Sequence, residues 1–339
     1  MGAPEDPTLN LSWCFKTTTL YVDRRNLSCK IENDALVFSE DGQRCGTIPT
    51  APLERVVFHC NVQIDTHSLG RLGKEGIGVI ILSGRGHRPP LFLPSQYHDA
   101  ERRMAQYSLS QNPEYRLRRT TDTIREKIDA QRECLEALAA NSPRNDSHEV
   151  GEALSKPSEN LVFAGSIESI LGIEGQAAAT YFKALSTFVP NELHFNGRNR
   201  RPPKDPFNAV LSLTYTLLTC DAALAANTAG LDSYVGFLHA LEYGRHSLAC
   251  DLIEPVRPQA DQFALQLFSE GILTKDNFAT SNQGCLLDKA GRSAFYPAYE
   301  KAAPAWRSML RKSALGLAER LVADFRNSQF RMPAYGQGK

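Results

Sequence analysis

The spacing of apolar residues changes once along this chain, near residue 95, and that change limits the possible folds more than any other feature. Residues 12–94 carry short β-type runs: TLYV (19–22), ALVF (35–38), RVVFHC (55–60), VQID (62–65) and GVIIL (78–82). Turn signals such as Asn33-Asp34, Asp41-Gly42 and Gly84-Arg85-Gly86 separate them. From about Gln96 the spacing becomes that of amphipathic helices. Arg102 to Tyr107 opens the run, Thr121 to Ala140 reads as one charged helix, and helices continue to about Phe325. The pattern predicts an α+β chain: a small β domain over 1–95, a larger all-helical domain over 96–330, and a loose tail over 331–339. The polar stretch 141–160 is expected to be a surface loop inside the helical domain.

Local chemistry places two helix starts. Asp205 followed by Pro206 predicts an N-cap and a first-turn proline, opening the apolar helix Phe207 to Ala226. Ser247 is expected to cap a short helix, SLACDLIEP, that Pro255 and Pro258 stop. The most apolar stretch, Ala209 to Ala226, carries Asp221 and several Ser and Thr residues, which suits a buried core helix better than a membrane span. With 42% apolar and 22% charged residues, the composition is that of an ordinary soluble protein. The eight cysteines are scattered without a C-x-x-C pair, which argues against a zinc ribbon and suits reduced thiols. The chain opens MGAPEDPT with no basic-plus-apolar signal, so a cytoplasmic location is expected, with no membrane partner. A formal net charge of zero gives no whole-chain argument for nucleic acid, so polyanion binding must come from local patches.

Glu174 is an acid where its helix should be apolar. After a Ser166 cap, Ile167, Ile170, Leu171, Ala178, Tyr181 and Leu185 recur at helical spacing, and Glu174 lies about 20° from Ile167 on that face. A buried carboxylate needs a cation, either a basic side chain or a metal. Asp251 and Glu254, three apart, share a face of the short helix, and His239 sits in the apolar run VGFLHAL. Three acids and one imidazole, each expected in a mostly buried helix, suit Mg²⁺ or Mn²⁺ better than zinc or calcium. Taken singly, each residue is better explained by a salt bridge, a satisfied core histidine or a solvated face, and spacing alone leaves metal binding at even odds. The loop NGRNRRPPKDP gathers Arg198, Arg200, Arg201 and Lys204 without an acid. Such a cluster suits phosphate and is equally well a basic surface turn. Tyr215 and Arg245 are weaker candidates for DNA contact.

At these residues the chain resembles the CRISPR-associated Cas-one family. The matching blocks are ILGIEGQAAATYF (170–182), NRRPPKDPFNAVLSLTYTLL (199–218), GLDSYVGFLH (230–239) and GRHSLACDLIEPVRP (244–258). TLYVD, RVVFHCNVQID, GIGVIILSGRG and RRMAQY match more loosely. The resemblance implies an N-terminal β-sandwich-like domain, used for dimerisation and partner contacts, and an all-helical catalytic domain with one divalent-metal site. It implies Glu174, His239 and Glu254 as ligands of Mg²⁺ or Mn²⁺, with Asp251 as a catalytic neighbour. Many members carry another acid directly after this pair, where the chain has Pro255. The implied activity is a DNA integrase and endonuclease of CRISPR adaptation: a 3′-hydroxyl of a captured spacer precursor attacks a phosphodiester at the repeat array. The implied partners are DNA, a second copy of the chain, and a small Cas-two dimer bridging two such homodimers. Two other readings stay open on the residues: a stand-alone nuclease of branched DNA, and a non-enzymatic helical DNA-binding scaffold.

Overall fold

The computed structural model describes residues 19–82, 89–94, 100–140, 154–155, 157–199, 202–281 and 284–329. The turn signal at 84–86, most of the polar stretch 141–160, the tail 331–339, Cys14, Arg200 and Arg201 lie outside the described residues. Backbone contacts divide the chain into two compact units, one of residues 1–96 with 293–301, the other of 97–292 with 302–339.

Among the described residues, the first unit holds two four-stranded sheets. One has the order β1 (Thr19–Val22), β5 (Arg55–Phe58), β7 (Gly78–Ile81) and β8 (Leu91–Phe92), the first three parallel and β8 antiparallel. The other has the order β4 (Gln43–Pro49), β3 (Ala35–Glu40), β2 (Leu27–Glu32) and β6 (Val62–Ile64). Every residue of β1 and β5 is buried, Thr19 and Arg55 included, so neither strand alternates in burial, whereas β2 alternates buried residues with more exposed ones. Asn33 and Asp34, both at positive φ, form the two-residue turn between β2 and β3 that the sequence predicts. Leu27, Leu36, Phe38, Val56 and Leu72 form the centre of the core.

Leu72 comes from a helix absent from the sequence prediction, α1 (Thr66–Lys74). Its two glycines and sparse apolar residues give a weak helical pattern, but Asp65 caps it by accepting from the Ser68 N–H at 2.8 Å. Residues 293–301 also belong to this unit: Tyr296 stacks on Tyr21 with ring centroids 4.1 Å apart, and the Tyr21 hydroxyl donates to Glu300 at 2.7 Å.

The second unit is helical: α2 (Ala100–Gln111), α3 (Pro113–Ala140), α4 (Ile167–Leu185), α5 (Pro206–Thr228), α6 (Ser247–Ile253), α7 (Arg257–Ser269) and α8 (Lys289–Gln329, most of it in this unit). It also contains a two-stranded antiparallel ribbon, β9 (Phe278–Ser281) with β10 (Gly284–Leu287). Asp205 caps α5 as predicted, accepting from the Asn208 N–H at 2.8 Å, and Pro206 stands at its start. By length and composition α5 alone among the described helices suffices to cross a membrane, yet 67% of its apolar window is buried inside the protein.

The second start is displaced by one residue. His246 is the N-cap of α6, and the Ser247 hydroxyl instead donates to the Ala240 carbonyl at 3.0 Å. Nor do the prolines end the helical path. Glu254–Val256 forms a single 3₁₀ turn, and α7 begins directly after it, so Pro255 and Pro258 both sit in first turns, where a missing N–H costs nothing.

Candidate metal centre

The face of α4 that turns inward is Ile170, Ala177, Tyr181 and Leu185. Leu171 is exposed, and Ala177 rather than Ala178 is fully buried, so the apolar stripe is narrower than the sequence pattern. Glu174 lies on this stripe with its side chain 23% exposed. It meets Lys127 of α3, whose Nζ is 2.5 Å from Glu174 Oε1 and 2.7 Å from Glu254 Oε2. Glu254 opens the 3₁₀ turn between α6 and α7, and its side chain is only 2% exposed. Its Oε1 faces Arg257 Nη1 at 3.1 Å and His239 Nε2 at 3.8 Å. Burial by itself would raise the Glu254 pKa, but Arg257 first, then Lys127 and His239, outweigh it and hold the carboxyl at about 2.

His239 is not on a helix. It sits midway along a loop, residues 230–246, that is held from both sides. The buried Gln106 of α2 donates to the carbonyls of Asp232 and Val235 at 2.8 and 2.7 Å and accepts from the Asp232 N–H at 2.8 Å. From α3, Arg116 Nε and Thr120 Oγ1 donate to the Phe237 carbonyl at 2.7 and 3.2 Å. From α6, Asp251 accepts the backbone N–H groups of Phe237, Leu238 and His239 at 2.6, 3.1 and 3.0 Å. Asp251 also lies 2.7 Å from His239 Nδ1. An Nδ1–H donated there fixes the ring with Nε2 on the side facing Glu254. Asp251 and Glu254 therefore divide the labour: one builds the loop and orients the histidine, the other faces the centre.

This arrangement requires glycine at position 236. A Cβ there would sit 2.7 Å from Asp251 Oδ2 and 2.9 Å from the Ser247 carbonyl carbon. Gly236→Ala is expected to push Asp251 off the loop amides and to lower stability by about 1–3 kcal/mol. Urea unfolding of the purified variant measures this.

The donor chemistry suits the metal that the family resemblance implies. Two carboxylates and an imidazole with its second nitrogen tied to an acid form a hard, oxygen-rich set for Mg²⁺ or Mn²⁺. Glu254 Oε2 is buried and accepts no aligned hydrogen bond, the ammonium contact being an ion pair at a poor angle. The cation now between the carboxylates is Lys127, and among the described residues no three His, Cys, Asp or Glu side chains are drawn together at metal-binding spacing. Lys127 was not singled out in the sequence. Its signal was present: it lies on the buried stripe of α3 with Ile124, Ile128, Gln131 and Leu135.

Asp261 of α7, 1% exposed, accepts from the hydroxyls of Tyr181, at 2.9 Å, and Tyr215. Arg198 and Arg257 both lie over the Tyr215 ring, at 5.3 and 5.0 Å from its centroid. Tyr215 thus spends its hydroxyl in the interior. Arg198 is bound to Asn208 Oδ1 at 2.8 Å and to Ser212 Oγ at 3.2 Å, so it braces its own loop. Arg245 is likewise engaged, with Glu242 at 2.6 Å and with the Ala240 carbonyl. Of the basic and aromatic residues suggested for DNA contact, Lys204 is the described one with an exposed side chain.

The family model for the CRISPR associated protein Cas1 matches residues 20–301. The CRISPR-associated endonuclease Cas1 1 of Thermodesulfovibrio yellowstonii is 36% identical over 317 residues, covering 91% of this chain and 98% of that protein. Among solved structures, a casposase bound to integration product superposes with a TM-score of 0.81 at 22% identity, over 91% of each chain. A Cas6-RT-Cas1–Cas2 complex chain superposes with a TM-score of 0.76 at 22% identity, over 96% of this chain and 36% of its own. These structural likenesses bear on the fold, and the sequence matches carry the relationship further: the chain belongs to the Cas1 family of CRISPR-associated proteins.

Proposed function

We propose that this chain is a divalent-metal-dependent DNA endonuclease and integrase of CRISPR adaptation, acting on a spacer precursor and a repeat array. The observation that carries the reading is that Glu174 and His239, from separate segments, both border the buried Glu254, Glu174 through the shared Lys127 ammonium and His239 Nε2 across 3.8 Å, with Asp251 orienting the histidine. The relative named above is called an endonuclease, and one structural neighbour is a casposase bound to integration product, so both activities fit the lineage. Glu174, His239 and Glu254 would hold Mg²⁺ or Mn²⁺, which when bound offsets charge on a phosphodiester and its leaving oxygen. Asp251 fixes the His239 tautomer so that Nε2 is a ready donor. Arg257 keeps Glu254 ionised at neutral pH. In integration a DNA 3′-hydroxyl forms a new P–O bond while the bond to the repeat strand breaks; with water in its place the same exchange is hydrolysis.

In this reading a small Cas2-like dimer bridges two homodimers of the chain in the cytoplasm, as the resemblance implies, and the Cas1–Cas2 neighbour supports a Cas2-like partner. In this reading residues 1–95 supply dimer and partner contacts and residues 96–330 the chemistry. Lys204, together with Arg200 and Arg201 of the same loop, remains the candidate phosphate contact.

The test is joining and cleavage of branched DNA in Mn²⁺ with the purified chain and a Cas2-like partner. Glu174→Ala and His239→Ala are each expected to lose at least ~100-fold in strand transfer while binding DNA within a few-fold of wild type. Retained transfer in either variant would overturn the assigned site. Efficient cleavage of branched DNA without any partner or repeat would favour the stand-alone nuclease instead.

A further inference from the structure

Lys127 has no place in the proposed chemistry, yet it occupies the middle of the site. Its ammonium is the cation between Glu174 and Glu254, its side chain is 7% exposed, and it reaches them from α3, an element that supplies none of the ligands. Its two contacts differ. Toward Glu174 Oε1 it makes a hydrogen bond; toward Glu254 Oε2 it makes an ion pair without alignment. An ammonium on a four-carbon stem can leave such a position by rotating about its own bonds, unlike a guanidinium fork, which holds its partner at two points. Arg257 stays on the far oxygen of Glu254, so part of the negative charge is met whether or not Lys127 remains. The charge of the cluster supports the same conclusion. Glu174, Glu254 and Asp251 exceed Lys127 and Arg257 by one negative charge, and exchanging the ammonium for a divalent ion would make the cluster neutral.

We infer that Lys127 is a built-in competitor for the divalent metal: it holds the two carboxylates in the metal-free protein and must swing out for an ion to load, thereby setting the site's metal affinity. Lys127 is a positioning residue in this scheme, acting through Glu174 and Glu254. The inference rests on the metal-site reading above, and the experiment separates the two. Mn²⁺ binding to the full chain is measured at fixed pH and ionic strength from the spectrum of free Mn²⁺, without DNA or turnover. Lys127→Met removes the competing charge at nearly constant volume and is expected to tighten Mn²⁺ binding about 10-fold or more. Lys127→Arg keeps a cation that grips both carboxylates and is expected to weaken binding by a similar factor. A purely structural lysine would not move the two variants in opposite directions. Glu174→Gln serves as the control. If it loses Mn²⁺ binding while the Met and Arg variants both match wild type, the competitor role is overturned and the metal site stands. If Glu174→Gln binds Mn²⁺ like wild type, the metal site itself is overturned. Should Lys127→Met fail to fold, the Arg variant decides alone, and wild-type affinity there would sink the inference.

Discussion

Asp251→Ala is expected to lower the stability of the helical unit by about 3–5 kcal/mol and to disorder the loop that carries His239. The carboxylate accepts three consecutive backbone N–H groups, those of Phe237, Leu238 and His239. Each buried donor left without a partner costs about 1–3 kcal/mol, and partial relaxation toward water keeps the sum below three full penalties. Asp251→Asn separates the loop from the imidazole. One amide oxygen still accepts, but the amide N–H₂ now faces backbone donors, and the His239 Nδ1–H loses its charged partner. The Asn variant is therefore expected to retain most of the fold while binding Mn²⁺ about 10–100-fold more weakly. Urea unfolding reads the first effect and Mn²⁺ titration the second. An alanine variant as stable as wild type would show that the loop is held by Gln106, Arg116 and Thr120 without Asp251.

What the sequence disclosed, and what it hid, follows from how each feature is encoded. The β-to-helix change was legible because it is written in period, and the Asn33-Asp34 turn and Asp205 cap because they are written in adjacent residues. Glu174 stood out as a charge on an apolar face, and spacing alone gave a basic side chain as its more frequent partner. The structure supplies such a partner in Lys127, a lysine rather than an arginine. Which cation an acid meets depends on the packing of α3 against α4, and no local pattern in either helix records that register. The same holds for Gln106, fully buried and bonded to a loop more than a hundred positions away. A loop with no period of its own also misled: the apolar run around His239 resembled a helix because Phe237 and Leu238 are buried, although their burial comes from loop packing against α3 and α6.

The second large effect is expected at Glu254, where the deleted charge is the one on which two buried cations depend. Glu254→Ala removes the partner of Arg257 and one of the two partners of Lys127, leaving both cations in a site almost closed to water. Breaking a buried pair from one side costs about 3–5 kcal/mol, more than the pair contributes intact, because the surviving charges cannot be rehydrated in place. The pH dependence identifies the cause. The folded-state pKa of Glu254 is depressed from 4.5 to about 2, so its stabilisation is fully present above pH 4.5 and is lost as pH falls through about 2. Between pH 7 and pH 5 the wild type is thus expected to exceed Glu254→Ala by a constant margin, and between pH 4.5 and pH 2 the two unfolding curves should converge. Adding Lys127→Met to Glu254→Ala should recover part of the loss at neutral pH, since one stranded cation goes with it. A margin unchanged down to pH 2 would mean that Glu254 supports the junction of α6 and α7 by its shape, and that its charge is not what balances Lys127 and Arg257.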